Sequence, residues 1–361
     1  MYIIFLFLSP KFCREMTVLK KGPYHNNNEV LSRKNSRCLT DQQVCFEYRE
    51  PFITSGYRSP GFTLWQCICS IFETHNETIN VWSHFAAVIG FLFLCVPVFL
   101  DNNPLQDSFV YPLLAYSVGI CAMFIMSSFA HLFNCMSIKV RHICFFLDYA
   151  AISTYTFTAG QVFFFYSRPI NTDLKLLKSS TVFLAISAFI SVASTYMCCA
   201  SRHAWIKHKF LIRTGTYSLS WVYNTLPYFS RTFLCESATD CNIESFKYFK
   251  RQVIYFIVAA ISNASRIPER FIPGFFDFFG QSHHFLHILC ALGSVDDFIA
   301  VYLDMTTRRE ILTGPGMSLP TFYNSIGLML IVLTTNIGIV IWFAIKCPHD
   351  EKSENKHLKS K

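Results

Sequence analysis

Apolar residues along this chain fall into blocks about as long as a bilayer is thick, separated by short polar stretches. A helix needs about 20 mostly apolar residues to cross the hydrocarbon core. Eight such blocks follow one another, at 81–100, 109–133, 143–166, 179–201, 214–235, 246–265, 282–304 and 320–346. The fifth carries Arg231, the sixth is short, and the seventh contains Asp296 and Asp297. No internal repeat and no Gly/Ser-rich linker divides the blocks, so they predict one all-α integral membrane bundle over 81–346. Residues 1–45 are polar and mixed, which predicts a mobile tail. Residues 46–80 are aromatic and amphipathic, as suits a segment lying in the membrane interface, and residues 347–361 form a second polar tail. Met1 to Leu8 is apolar but too short to span, and it lacks the basic start and small-residue cleavage site of a secretory signal. Met16 offers an alternative start, and the first spanning helix is expected to direct entry into the membrane.

Composition agrees with this pattern. The 361 residues are 52% hydrophobic and 15% charged, with 38 Phe and 17 Tyr, too little polar material to coat a soluble surface. The net charge of +8 raises the question of nucleic acid. The basic residues are scattered over tails and short loops, however, with no basic-aromatic stripe and no nucleic-acid module. They serve better as orientation signals. With eight spans, the two tails and the second, fourth and sixth loops share one side and hold most of the Lys and Arg. The first loop on the other side, Asp101 to Ser108, has two Asp and no base. Both termini are therefore expected in the cytosol, where the Asn76-Glu77-Thr78 sequon would not be glycosylated. The 15 Cys show no CxxC pairs at zinc-ribbon spacing, and most lie inside apolar blocks. Cys235 and Cys241 share an external loop and leave a disulfide open.

Ionisable groups in spans are costly and mark candidate functional sites. His131 ends the second span, which runs inward, and Asp148 lies near the start of the third. His283 and His287 open the seventh, which also starts inside. Topology drawn from charge alone thus brings all four to the cytosolic end. Spaced four apart, His283 and His287 share a helix face. With His131 they make three nitrogen ligands and leave a fourth position for water, the arrangement of a catalytic zinc. Asp148 can hold that water or orient a ligand ring, and Ser127, one turn before His131, can add a hydrogen bond. His284 points elsewhere. The pair taken alone is also explained by interfacial histidines making hydrogen bonds, and His131 and Asp148 at the same depth bring metal binding level with that explanation. Asp296 and Asp297, roughly 20 Å further along the helix, are too distant for the same ion. They line a cavity or pair with Arg231.

The stretch Gly56-Tyr57-Arg58, followed by Ser70-Ile71-Phe72-Glu73-Thr74-His75-Asn76-Glu77-Thr78-Ile79-Asn80-Val81-Trp82-Ser83-His84, resembles the opening motif of the progestin and adipoQ receptor family. Ser127-Ser128-Phe129-Ala130-His131 with Leu147-Asp148-Tyr149 resembles that family's second and third helices. Pro268-Glu269-Arg270, Pro273-Gly274, Phe276-Asp277, Gly280 and Ser282 through His287 resemble the approach to its seventh. Leu303-Asp304 with Arg308-Arg309-Glu310, and an eighth span, are similar to the membrane progestin receptor branch. The resemblance covers roughly residues 50–345. It implies a seven-helix bundle with a cytosolic N-terminus plus an eighth C-terminal transmembrane helix. It also implies zinc on His131, His283 and His287 with Asp148 beside it. Gln281 stands where the branch usually has His, and Asn224 where Asp is common; neither is an implied zinc ligand.

Two functions follow as expectations. One is a plasma-membrane steroid (progestin) receptor for rapid non-genomic signalling, with inhibitory heterotrimeric G proteins as implied partners. The other is a zinc-dependent amidohydrolase acting on ceramide-like lipids, as in the similar alkaline ceramidases, with Asp148 taking the proton from water. A transporter is a weaker third reading, because the ionisable groups cluster at one end instead of tracing a path. A steroid pocket has no short motif, so no ligand-binding residue is read from sequence.

Overall fold

The computed structural model describes residues 38–202, 204–205, 208–235 and 240–347. The expectations for Met1 to Leu8, Met16 and the C-terminal tail from 348 onward lie outside the described residues. A short helix α1 (Leu64–Ser70) precedes the long helices. These are α2 (Thr78–Asp101), α3 (Tyr111–Phe133), α4 (Ile138–Val162), α5 (Ser180–Ala200), α6 (Lys209–Leu234), α7 (Ile243–Ser265), α8 (Ser282–Thr307) and α9 (Leu328–Lys346). The chain is an all-α, multi-pass membrane protein. Five of its helical stretches are long and apolar enough to cross a membrane: Thr78–Asp101, Ser108–Phe133, Ser180–Ala200, Ser282–Thr307 and Tyr323–Lys346.

The remaining long helices fall short of that criterion because of where they sit. Helix α4 runs through the middle of the bundle. It buries Arg141, Asp148, Ser153, Thr154, Thr158 and Gln161 against other helices, so lipid does not select its residues. Helix α6 turns Arg213, Thr214, Tyr217, Ser218, Asn224 and Thr225 to an internal cavity, and α7 carries Glu244, Lys247, Lys250 and Arg251 in its first turns. Helix α5 inverts the pattern of a soluble helix. On α5, Ser187, Ser191, Ser194 and Thr195 are buried while Phe189 is 73% exposed, as lipid-facing residues should be. Small and hydroxylated residues let helices approach closely and hydrogen-bond across the interface. Ser191 Oγ donates to the Ser153 carbonyl at 2.7 Å, and Ser187 Oγ donates to Asn224 Oδ1 at 2.6 Å.

Gly160 sits at that crossing of α4, α5 and α6. A Cβ there would run into Asn224 Oδ1 and come within 3.1 Å of Ser187 Oγ. Gly160→Ala is expected to cost about 1–3 kcal/mol by overpacking. A lower Tm of the purified protein is the readout, and an unchanged Tm would mean the crossing yields without cost.

The N-terminal boundary differs from the expectation. Within residues 38–45, assigned by their polarity to the mobile tail, Leu39 and Val44 are held against the following turns. Leu39 exchanges backbone hydrogen bonds with Tyr57 (2.7 and 3.1 Å), and Val44 is buried with Tyr48, Ile53 and Tyr57. The partners of that small cluster come from one residue each of several turns, a pattern without periodicity.

At the end of the bundle away from His131, Cys235 and Cys241 form a disulfide. Arg308, fully buried, donates to Asp240 at 2.5 Å and to the Arg168 carbonyl at 2.7 Å. Arg231 pairs with Asp304 at 2.7 Å, and both side chains are fully buried. The expected alternative of Arg231 with Asp296 or Asp297 does not form. Those two lie two turns earlier on α8, where Asp296 takes Arg251 of α7 (2.5 Å to each oxygen) and Asp297 accepts from Tyr116 at 3.5 Å.

Candidate functional site

The opposite end is built around the last turn of α3 and the first turns of α2 and α8. Arg58 is buried there and donates to the Leu132 carbonyl (2.8 Å), the His131 carbonyl (2.6 Å), Asn134 Oδ1 (3.0 Å) and Ser70 Oγ (2.9 Å). It therefore satisfies carbonyls that the end of α3 leaves open and ties them to α1. The start of α8 is held from its own side. Glu269 accepts from the Ser282 backbone N–H at 2.8 Å and from its hydroxyl at 2.5 Å. His284 Nδ1 accepts from the backbone of Gly280 and Gln281 at 3.1 and 3.3 Å, so His284 is a capping residue turned away from His283 and His287. Asp277 accepts from Thr54 and Ser55 and anchors the approach to α8 on the N-terminal segment. Gly56 (φ +84°) permits that segment's turn, and a Cβ there would lie 3.1 Å from the Asn76 backbone nitrogen.

These supports bring His131, His283 and His287 together, with one ring nitrogen of each within 4.8 Å of the others. The other ring nitrogens are occupied. His131 Nδ1 donates to Glu77 at 2.8 Å, His283 Nδ1 to Asn263 Oδ1 at 3.2 Å, and His287 Nδ1 to the Asn80 carbonyl at 3.2 Å. A carboxylate and a carbonyl only accept, so His131 and His287 must carry their protons on Nδ1. The Nε2 lone pairs then face one another, and those of His131 and His283 are 3.2 Å apart. Nitrogens about 2.0–2.1 Å from one tetrahedral Zn²⁺ stand roughly 3.3 Å apart, so the donor set fits zinc. His84 stacks on His287 (3.8 Å between ring centres, 6° between planes), and neither of its ring nitrogens has a hydrogen-bond partner among the described residues.

Asp148 and Ser127 line the same cavity as the three histidines. Asp148 makes no bond to a histidine ring, and its Oδ1 is buried without a partner among the described residues. The carboxylate that orients a ring is Glu77, which also accepts from Asn134 (2.6 Å) and Asn80 (2.7 Å). Burial draws Glu77 toward its neutral form. The neighbouring His131 and the Asn80 donor outweigh that and hold it well below the usual carboxylate range. Sequence reasoning missed Glu77 as a site residue. The signal for it was an acid four residues before the first predicted span, at the end of the bundle that already held the four selected groups.

His75 completes this end. Its Nε2 donates to the Ser70 carbonyl (3.1 Å) and its Nδ1 accepts from the Glu77 backbone (3.1 Å), so the neutral ring is fully satisfied. Burial, and then the Arg58 charge, push its pKa down to about 3. The unfolded chain therefore takes up this proton first, near pH 6.5. His75 contributes stability above that value, and the contribution is lost as pH falls from about 6.5 toward 3. Between pH 7.5 and 5 the Tm of the wild type is expected to fall more than that of His75→Gln. Equal falls would remove His75 from the acid response.

The cavity above the histidines has a volume of about 450 Å³, within the range of small-molecule sites. Its walls include Met123, Ile152, Ala159, Phe163, Trp221 and Cys290. Between α6 and α7 it reaches Val222 and Ile257, which are 55% and 46% exposed on the lipid-facing surface. Of the two departures from the family pattern, Asn224 lines the cavity and bonds Ser187. Gln281 lies at its edge and caps α8, donating to the Asp277 carbonyl at 2.6 Å.

A helical membrane bundle with a convergent histidine triad at the base of an internal apolar cavity is the class of protein these features define. Residues 72–296 match the family model for haemolysin-III related proteins. The chain is 30% identical over 319 residues to the human membrane progestin receptor gamma, covering 87% of this chain and 95% of that one. It is 29% identical over 343 residues to the zebrafish (Danio rerio) membrane progestin receptor gamma-B (89% and 97%). To the mouse membrane progestin receptor delta it is 31% identical over 320 residues (86% and 89%). The chain belongs to the progestin and adipoQ receptor family, in its membrane progestin receptor branch.

Proposed function

We propose that this protein is a plasma-membrane receptor for a steroid of the progestin type, with zinc held by His131, His283 and His287. The observation that carries the proposal is the apolar cavity of about 450 Å³ standing directly on the histidine triad and reaching the lipid-facing surface between α6 and α7. An apolar ligand partitions into the bilayer first and passes sideways into the cavity, where Tyr155, Tyr217 and Asn224 supply polar contacts. The related receptors named for progestins support the ligand class. A cytosolic N-terminus and cytosolic triad are supported by the excess of Lys and Arg in the tails and loops of that side. Signalling then runs from the cavity to the cytosolic face, with a heterotrimeric G protein as partner. Membranes carrying the protein should bind labelled progestin saturably, and unlabelled progestin should displace it. Uptake that rises linearly with ligand and is not displaced would overturn the proposal.

A second reading, zinc-dependent hydrolysis of a ceramide-like amide, rests on Asp148. Its carboxylate lines the same cavity as the triad, and its Oδ1 has no partner among the described residues. Zinc when bound would polarise the amide carbonyl and acidify the water. Asp148 would take the proton, and Tyr149 and Tyr155 would border the lipid. Asp148→Asn should then abolish ceramide turnover and leave progestin binding intact.

A further inference from the structure

Helix α8 carries three buried carboxyl groups, and two of them are matched to a cation. Asp304 pairs with Arg231, and Asp296 takes Arg251 through both of its oxygens. Asp297 is 2% exposed, and it pairs with no lysine or arginine among the described residues. Its Oδ1 is buried without a hydrogen-bond partner there. Its Oδ2 accepts from the Tyr116 hydroxyl at 3.5 Å, which is long for an O–H···O bond. A buried carboxyl so poorly satisfied calls for a further partner. Asp297 lines the internal cavity, and so do Ser294, one turn before it on α8, and Tyr155 of α4. The Tyr155 and Ser294 hydroxyls lie 3.0 Å apart, and the bond between them uses one of their two hydrogens. The Tyr155 ring is stacked on Tyr116, with 5.7 Å between centres and 21° between planes, which holds its hydroxyl in place.

These groups stand at the end of the cavity away from the histidines. Asp297 follows His287 by ten residues, about 15 Å along α8. The cavity wall passes along α8 from His287 through Cys290 and Ser294 to Asp297, and along α4 from Asp148 through Ile152 to Tyr155 and Ala159. A largely apolar passage with one small polar cluster at its far end suits a ligand of the same pattern, an apolar body with a polar group at the tip. Asp297 decides which group. A carboxylate ion buried without a cation is costly, and the carboxylic acid is the form such surroundings favour. The acid has an O–H to give. In an apolar site, a neutral carboxylic acid and a tyrosine hydroxyl together bind a ketone oxygen.

We propose that Asp297, with Tyr155 and Ser294 beside it, is the specificity-determining end of the ligand site, where a ketone oxygen of the steroid is received by hydrogen bonds. The inference rests on the reading of this cavity as a steroid site, and it adds which ligand group is selected and by which residue. A site built to bond a ketone rejects the analogue that lacks it, because the buried acid is then left without a partner.

The test uses the full-length protein in nanodiscs of neutral phosphatidylcholine, with labelled progesterone as reporter. The competitors are progesterone, its two analogues that each lack one ketone oxygen, and the two alcohols in which one ketone is reduced. In the wild type, removing one of the two ketones should weaken competition at least about tenfold, and removing the other much less. Asp297→Leu should lower the affinity for progesterone to that of the weak analogue, so that the two compete equally. Asp297→Asn, whose amide keeps a donor, should hold most of the preference. Asp297→Ala makes the same comparison where leucine impairs folding. Equal competition by progesterone and both analogues in the wild type, or a preference that survives in Asp297→Leu, would overturn the inference and leave the steroid reading standing. Stronger competition by an alcohol than by its ketone, lost in Asp297→Leu, would make Asp297 an acceptor and overturn the ketone assignment. Absence of saturable progesterone binding in the wild type would overturn the steroid reading and this inference together.

Discussion

Replacing His283 by alanine is expected to take the zinc content of the purified protein from about one ion per chain to near none. Each of the three rings is fixed through Nδ1 by a different group: Glu77 for His131, Asn263 for His283, and the Asn80 carbonyl for His287. The remaining nitrogens face one another as acceptors, an arrangement that a bound cation relieves. Removing His283 leaves one ligand from α3 and one from α8, and two nitrogens hold zinc far more weakly than three. The loss should extend to stability. A site of this kind cross-links helices distant in sequence, and structural zinc is worth on the order of 10 kcal/mol when fully assembled. The Tm of the variant should fall well below that of wild type. Chelation should bring the wild type down to the same value and leave the variant unmoved. Zinc retained by His283→Ala, or a wild type that purifies without zinc and is indifferent to chelation, would sink the assignment.

The second large effect belongs to the other end of the molecule. Asp304→Ala is expected to destabilise the protein by about 3–5 kcal/mol, because it leaves Arg231 fully buried and uncompensated. Among the described residues Arg231 retains Ser245 Oγ at 3.2 Å and the faces of Tyr228 and Phe246, and Ser167 loses its acceptor at 2.7 Å. Poor recovery of folded protein in the membrane fraction and a lower Tm are the readouts. Replacing the pair together, as Asp304→Leu with Arg231→Met, should recover most of the loss, since a buried ion pair exchanged for apolar groups of similar volume is often neutral. Zinc content should not change in either variant, because Asp304 lies about 31 Å along α8 from His283. A single variant as stable as wild type would show that water reaches Arg231.

The mixed outcome for charged residues in α8 shows what a one-dimensional pattern holds. Asp296, Asp297 and Asp304 are equally visible in the sequence, and nothing in it says which of them faces Arg231. A helix turns 100° per residue, so neighbouring acids face different helices. Asp296 meets α7 and Arg251, Asp297 meets α3 and Tyr116, and Asp304 meets α6. Arg58 and Glu77 give the same lesson at the histidine end. Both stand in a motif legible in the sequence, yet their work is to hold the end of α3, and that is set by where α1 and α2 begin in space. The packing of Leu39 and Val44 against the following turns was equally hidden, because turns carry no periodicity to read.

The membrane class and the family were legible in the chain alone, and His131, His283 and His287 stood out in it as candidates. Those follow from the cost of leaving polar backbone in lipid, which forces long apolar helices, and from the scarcity of ionisable groups inside them, which makes each one conspicuous. Which partner each polar group takes, the orienting of His131 by Glu77 and the opening of a cavity between α6 and α7 were decided in three dimensions. Those depend on helix rotation and crossing, set by close packing among residues far apart in the chain, and no local pattern encodes them.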